Sequence, residues 1–227
     1  MTAPTIVFDL DGTLVDTAQD LVTTLNAVLV AEGMVPVSVE KLISMVGSGA
    51  RVMLEAAFAA EGRALTPDNL DRLLRDFMAL YDVHLADASR PYPGAEAMLD
   101  RFAADGWLMA VCTNKYEAPA RKLLDILGLA GRFAAITGQD TFGFRKPDPR
   151  HLTETIRLAG GDARDAIMVG DSATDIQTAT AAGIPVVAVS FGYSPLPVAG
   201  LGASRVVAAL AEVPAAAAAL RGRPASP

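Results

Sequence analysis

Five short apolar runs recur along the chain, at residues 5–8, 107–112, 133–136, 166–169 and 186–189. Each gives way to polar or glycine-containing residues and then to a helical pattern, with helices expected near 94–104, 118–127, 149–159 and 174–182. Runs this short and this uniformly apolar have no face to offer to water, so they read as strands buried on both sides. Alternation of such strands with helices predicts an α/β fold built on a doubly wound parallel sheet.

The alternation fails between the first and second runs. Residues 17–88 carry no strand pattern and show helical spacing instead: Leu21, Leu25, Val28 and Leu29, then Val52, Leu54 and Phe58, then Leu70, Leu73, Leu74, Phe77, Leu80 and Tyr81. An insert of about 70 residues is far longer than an ordinary strand-to-helix loop. The expected organisation is therefore a core of residues 1–16 and 89–227 with a helical cap subdomain over 17–88. Thr17 followed by Asp20 predicts a capping box at the start of the insert. Pro91-Tyr92-Pro93-Gly94 predicts a turn at its end. The alanine-rich stretch 215–219 predicts a surface helix, and the polar tail 222–227 a frayed end.

The chain has 227 residues, 52% of them hydrophobic, and a net charge of −7. Such an acidic chain is a poor partner for nucleic acid or an anionic membrane. It has no apolar run of the roughly 18 residues that a transmembrane helix needs, and no secretory leader pattern. The single Cys112 cannot form an internal disulfide, which fits a reducing compartment. A cytoplasmic protein, monomeric or homodimeric, is expected. His84 and His151 lie in helical segments without metal-ligand spacing.

In doubly wound sheets, ligands bind beyond the carboxyl ends of the strands. Asp9 and Asp11 follow the first run, and Thr113 and Asn114 the second. Arg145-Lys146-Pro147-Asp148-Pro149 follows the third across a loop, and Gly170-Asp171-Ser172-Ala173-Thr174-Asp175 follows the fourth. Each segment has a simpler reading. Asp11-Gly12 is a turn signal; Thr113 or Asn114 can cap a helix; Lys146 can be solvated; Asp148-Pro149 is a good helix start; Asp171 or Ser172 can cap, with Asp175 complementing the helix dipole. Each segment alone accepts that reading, but their coincidence at the same end of four strands does not. Asp9 and Asp11, two like charges held close, call for a cation between them, and a hard divalent ion such as Mg2+ prefers oxygen ligands.

In this order the four segments resemble the four motifs of the haloacid dehalogenase superfamily, over nearly the whole chain and with a helical cap inserted after the first motif. The resemblance implies a phosphatase in which Asp9 is the nucleophile and Asp11 the general acid/base. It implies that Thr113, Asn114 and Lys146 bind the phosphoryl group. Mg2+ would be held by the Asp9 carboxylate, the Asp11 main-chain carbonyl and Asp171, with Asp175 in support. Residues 46–51, 113–115 and 144–149 are most similar to phosphoglycolate phosphatases, which implies a small phosphorylated metabolite, 2-phosphoglycolate, as substrate. In the cap, Gly47, Ser48 and Gly49 would let backbone approach a ligand closely, and Arg51 would pair with the substrate's carboxylate. A flexible turn with a solvated arginine is the simpler alternative there.

A β-phosphoglucomutase or a pyrophosphatase of the same superfamily keeps all four motifs and stays open. A dehalogenase has no need of Asp11. A phospho-Asp receiver domain from signalling shares the Asp, Thr and Lys chemistry, but is about half as long and lacks the helical insert.

Overall fold

The computed structural model describes residues 3–46 and 49–221; the side chains of residues 42 and 44–46 lie outside the description. Along the chain run β1 (Thr5–Phe8), β2 (Val15–Asp16), α1 (Ala18–Ala31), α2 (Val39–Val46), α3 (Ala50–Ala60), α4 (Pro67–His84), β3 (Arg90–Pro91), α5 (Ala95–Ala104), β4 (Leu108–Cys112) and α6 (Glu117–Ile126). They are followed by β5 (Ala135–Thr137), α7 (Pro149–Leu158), β6 (Ala166–Gly170), α8 (Ala173–Ala181), β7 (Val186–Val189), β8 (Arg205–Val207) and α9 (Val213–Arg221).

Six strands form one parallel sheet in the order β5-β4-β1-β6-β7-β8. All four residues of β1 are buried, because β1 is central: Ile6 pairs with Met109 of β4 on one side and with Ile167 of β6 on the other. Its side chains alternate between two cores. Ile6 and Phe8 join the larger apolar cluster, and Val7 joins the smaller one with Leu152, Ile156 and Ile176 of α7 and α8. The Phe8 ring meets Phe102 edge-on at 6.0 Å and Phe133 at 6.5 Å. Truncating so tightly packed an aromatic side chain costs roughly 3–5 kcal/mol.

The connection order makes β1 the switch point. The chain leaves it toward β4 and β5 on one side, then returns to build β6, β7 and β8 on the other. The crevice at the carboxyl ends of β1, β4 and β6 is where a doubly wound sheet binds ligands.

All five expected strands form, with ends shifted by one or two residues at the second, third and fourth. β8 was not anticipated: Arg205 and Val206 are exposed, so this edge strand lacks a continuous apolar pattern. Two more strands were missed because they are two residues long. Val15 and Asp16 pair antiparallel with Pro91 and Arg90, so the expected turn at 91–94 begins inside a strand.

The four helices α1 to α4 lie between β2 and β3 and pack on one another. The expected capping box at Thr17 does not form. Thr17 has no side-chain cap bond; its hydroxyl donates to Asp11 at 2.7 Å instead. Asp20 turns away to accept from the Ala88 amide at 2.9 Å and from the Ser89 amide and hydroxyl at 2.7 and 2.6 Å. A long-range partner has displaced the local one, and it ties the outgoing and returning chains together.

Residues 47–48 and the tail 222–227 lie outside the described residues. No helix among the described residues is long and apolar enough to cross a membrane.

Candidate active site

β1 ends at Phe8 and delivers Asp9 to the crevice, where its amide continues the sheet by donating to the Val169 carbonyl at 2.9 Å. The Asp9 carboxylate is buried. One of its oxygens accepts from the Leu10 amide at 2.7 Å and pairs with the Lys146 ammonium at 2.9 Å. Lys146 also donates to Asp175 at 2.6 Å. Its ammonium is therefore fixed between two carboxylates, and the surface role allowed by sequence is excluded by a side chain that is 1% exposed.

β6 ends at Gly170 and delivers Asp171. The Thr13 hydroxyl donates to one Asp171 oxygen at 3.0 Å, and the Tyr193 amide to the other at 2.7 Å. Two glycines make room for this carboxylate. A Cβ on Gly12, whose φ is +83°, would stand 2.7 Å from an Asp171 oxygen, and a Cβ on Gly192 would stand 2.2 Å from the Asp171 Cβ. Neither contact is sterically possible without displacing Asp171.

Asp9, Asp171 and Asp175 each bring one carboxylate oxygen within 4.8 Å of the others. Burial pushes the Asp9 and Asp171 carboxyls well above the ordinary carboxylate range, and the Asp175 charge adds to it; Lys146 opposes the shift. Burial alone would penalise the Lys146 ammonium, but Asp175 and Asp9 hold it firmly protonated. Three carboxylates facing one ammonium leave an excess of negative charge in a dry site, which suits a bound cation.

The donor set fits a hard divalent ion, and it separates the three acids by role. Asp175 is fully engaged: one oxygen binds Lys146, and the other accepts from the Asp171 and Ser172 amides and from the Ser172 hydroxyl at 3.2, 3.1 and 2.7 Å. It also closes a capping box with Ser172 at the start of α8. The local helix role and the site role thus coexist in one residue. Asp9 and Asp171 keep lone pairs free for an ion.

The Asp11 carboxylate stands apart from this cluster. It accepts from Thr17 at 2.7 Å and from the Lys115 ammonium at 2.9 Å. Two acids that adjoin in sequence therefore occupy different surroundings. Thr113 is buried, and its hydroxyl accepts from the Lys115 amide at 3.1 Å. The Asn114 side chain donates to the Lys146 carbonyl at 3.1 Å, which ties the loop after β4 to the segment carrying Lys146. Neither caps α6, whose cap residue is Tyr116.

The structure thus gathers Asp9, Asp11, Thr113, Asn114, Lys146, Asp171 and Asp175 at one end of the sheet. It does not bring Arg51 there: that guanidinium pairs with Asp71 at 2.7 Å, with both side chains about half exposed. Gly49 does line the cleft beside the site; Gly47 and Ser48 lie outside the described residues. The sequence assigns no site role to Lys115, Thr13, Thr17 or Tyr193, although Lys115 lies in a stretch of family similarity and Thr17 reads as a helix cap. Lys115 carried a signal in its place directly after Thr113-Asn114. Tyr193, in the loop after β7, carried none.

The haloacid dehalogenase-like hydrolase family model matches residues 6–189. The phosphoglycolate phosphatase of Mesorhizobium japonicum is 58% identical over 194 residues, covering 86% of each chain. That of Agrobacterium fabrum is 49% identical over 195 residues, covering 86% of this chain and 84% of the relative. A crystal structure of a predicted phosphoglycolate phosphatase from Haemophilus somnus superposes with a TM-score of 0.88 at 28% identity, covering 95% of this chain and 98% of that one. With the family model matching residues 6–189, from within β1 to the end of β7, the chain belongs to the haloacid dehalogenase-like hydrolases.

Proposed function

We propose that this hydrolase is a Mg2+-dependent phosphatase that cleaves 2-phosphoglycolate to glycolate and phosphate through an aspartyl-phosphate on Asp9. The observation that carries the reading is the separation of the two acids. Asp9 faces Lys146, Asp171 and Asp175, and Asp11 faces Lys115 and Thr17. This separation supports a reading in which one carboxyl attacks phosphorus and the other handles protons. Two relatives at 58% and 49% identity named as phosphoglycolate phosphatases support the substrate.

An Asp9 oxygen attacks phosphorus as the ester P–O bond breaks, splitting one difficult displacement into two. Asp11, as the general acid, gives a proton to the departing alkoxide. Asp11, now the carboxylate, takes a proton from the water that attacks the phosphorus of phospho-Asp9, and the Asp9–phosphorus bond breaks. Lys146, Thr113 and Asn114 hold the phosphoryl oxygens through both steps, with Lys146 kept in place by Asp175. Asp9 and Asp171, with the Asp11 main-chain carbonyl, would hold Mg2+. When bound, the ion supplies positive charge between Asp9 and the incoming phosphate dianion and templates in-line geometry.

The test is release of inorganic phosphate from a panel of small phosphate esters, with Mg2+ and with EDTA. 2-Phosphoglycolate is expected to stand out, and EDTA to abolish turnover. A flat profile across the panel would remove the substrate assignment, and isomerisation of a sugar phosphate would point to the mutase alternative.

A further inference from the structure

One buried cation beside the site has no role in the steps above. A cleft opens between α4 and the loops after β1 and β4, walled by Asp11, Asn114 and Lys115 on one side and by Phe77, Met78 and Tyr81 on the other. Among the described residues lining it, Lys115 carries the sole positive charge. Its side chain is 5% exposed. It donates to the two Asp11 oxygens at 2.9 and 3.2 Å, and its ammonium stands 4.7 Å from the centre of the Tyr81 ring. An ammonium has three donors, and one carboxylate does not exhaust them. Tyr81 is 2% exposed, and its hydroxyl donates to no acceptor among the described residues. A buried hydroxyl proton without an acceptor is costly, and a ligand acceptor in the cleft removes that cost.

We propose that Lys115, together with the Tyr81 hydroxyl, receives the carboxylate of the leaving group and is the specificity-determining residue of this enzyme. The inference rests on the phosphoglycolate reading above and assigns its recognition to residues other than Arg51. The argument is one of reach. In 2-phosphoglycolate a single methylene separates the bridging oxygen from the carboxylate. Asp11 must contact that bridging oxygen, so whatever binds the carboxylate must be an immediate neighbour of Asp11. Lys115 is that neighbour at 2.9 Å. Arg51 is engaged by Asp71 at the surface and does not line the cleft.

The test uses ethyl phosphate, which keeps the length of 2-phosphoglycolate and lacks its carboxylate. The quantity read is the ratio of kcat/KM for the two esters with the Mg2+-loaded enzyme. Lys115→Met is expected to lower that ratio on the order of 100-fold, chiefly through KM for 2-phosphoglycolate. Tyr81→Phe is expected to lower it several-fold, the effect of one hydrogen bond. Any loss that falls equally on both esters reports support of Asp11, and an unchanged ratio in Lys115→Met overturns the proposal. If Lys115→Met does not fold, as judged by circular dichroism, Tyr81→Phe decides, and an unmoved ratio there overturns it as well. A wild-type enzyme that does not distinguish the two esters overturns the substrate reading and this inference with it. A discriminating wild type with unmoved variants overturns this inference alone.

Discussion

The Lys146 ammonium lies 2.6 Å from an Asp175 oxygen that is itself fully buried. That pair fixes where Lys146 points, and so its contact with Asp9 at 2.9 Å. Asp175→Asn keeps an oxygen for the capping box and removes the charge that anchors the lysine. Supporting contacts of this kind typically cost 10–100-fold in activity when removed. The expected outcome is a fall in kcat of about that size with an unchanged circular dichroism spectrum; activity within twofold of wild type would show that Lys146 holds its place without Asp175.

Asp9 and Asp11 predict two different failures. Asp9→Asn removes the nucleophile and is expected to abolish turnover with the fold intact. Asp11→Asn leaves the nucleophile and removes the proton handler for both steps. The variant is expected to turn over far more slowly and to carry a phosphoryl group on Asp9, visible as a mass increase of the intact protein after mixing with substrate.

The buried acids also set how the metal-free protein responds to pH. The folded Asp9 carboxyl binds its proton more tightly than the unfolded one, because burial and the Asp175 charge raise it. The native state then holds a proton that the unfolded chain has released. Stability from this source is present in acid and is lost as pH rises from the ordinary carboxylate range through neutrality. In EDTA, the melting temperature is expected to fall from pH 5 to pH 9. Mg2+ is expected to raise it most at the alkaline end, and Asp9→Asn to flatten the decline.

His151 predicts the opposite slope. Burial, with the Lys146 charge behind it, lowers this imidazole to about 4. Its ring nitrogen accepts from the Lys146 amide at 3.2 Å, as a neutral ring can. The unfolded chain takes up a proton near 6.5 that the native chain refuses. The contribution is therefore full above about 6.5 and lost as pH falls through 4. Urea midpoints of wild type and His151→Gln, compared from pH 4 to pH 7, are expected to converge in acid.

Gly192 predicts a steric effect on Asp171. Its missing side chain is what lets the loop after β7 pass over Asp171, with a Cβ–Cβ separation of 2.2 Å if one were added. Gly192→Ala is expected to cost roughly 1–3 kcal/mol in stability. It is also expected to weaken Mg2+ affinity, measured by titration calorimetry, by about tenfold or more.

Much of this was legible in the chain. The central strands are apolar throughout because both faces of β1, β4 and β6 are buried, so their pattern is local and strong. The residues at their carboxyl ends can be read by position, which makes Asp9, Thr113 and Asp171 candidates. The edge strand β8 escaped because Arg205 and Val206 face solvent. The pair β2 and β3 escaped because two residues make no pattern. Thr17 followed by Asp20 fits a cap, yet Thr17 binds Asp11 six residues back and Asp20 binds Ser89 far along the chain. A side chain with a choice between a local and a long-range hydrogen bond carries no mark of that choice in sequence.

The sequence by itself determined the order of the five apolar strands and the helices between them, the helical insert, and which acids stand at the carboxyl ends of the strands. These follow from periodicity and from the turn that ends each strand, both local properties of the chain. Tertiary structure alone decided the surroundings of the two acids: Asp9 with Lys146, Asp171 and Asp175, and Asp11 with Lys115 and Thr17. The partners arrive from several strand ends and from the start of the insert, and the surroundings of each carboxyl are assembled by packing. Arg51 and Lys115 are equally basic in sequence, and it is burial beside Asp11, against pairing with Asp71 at the surface, that separates them.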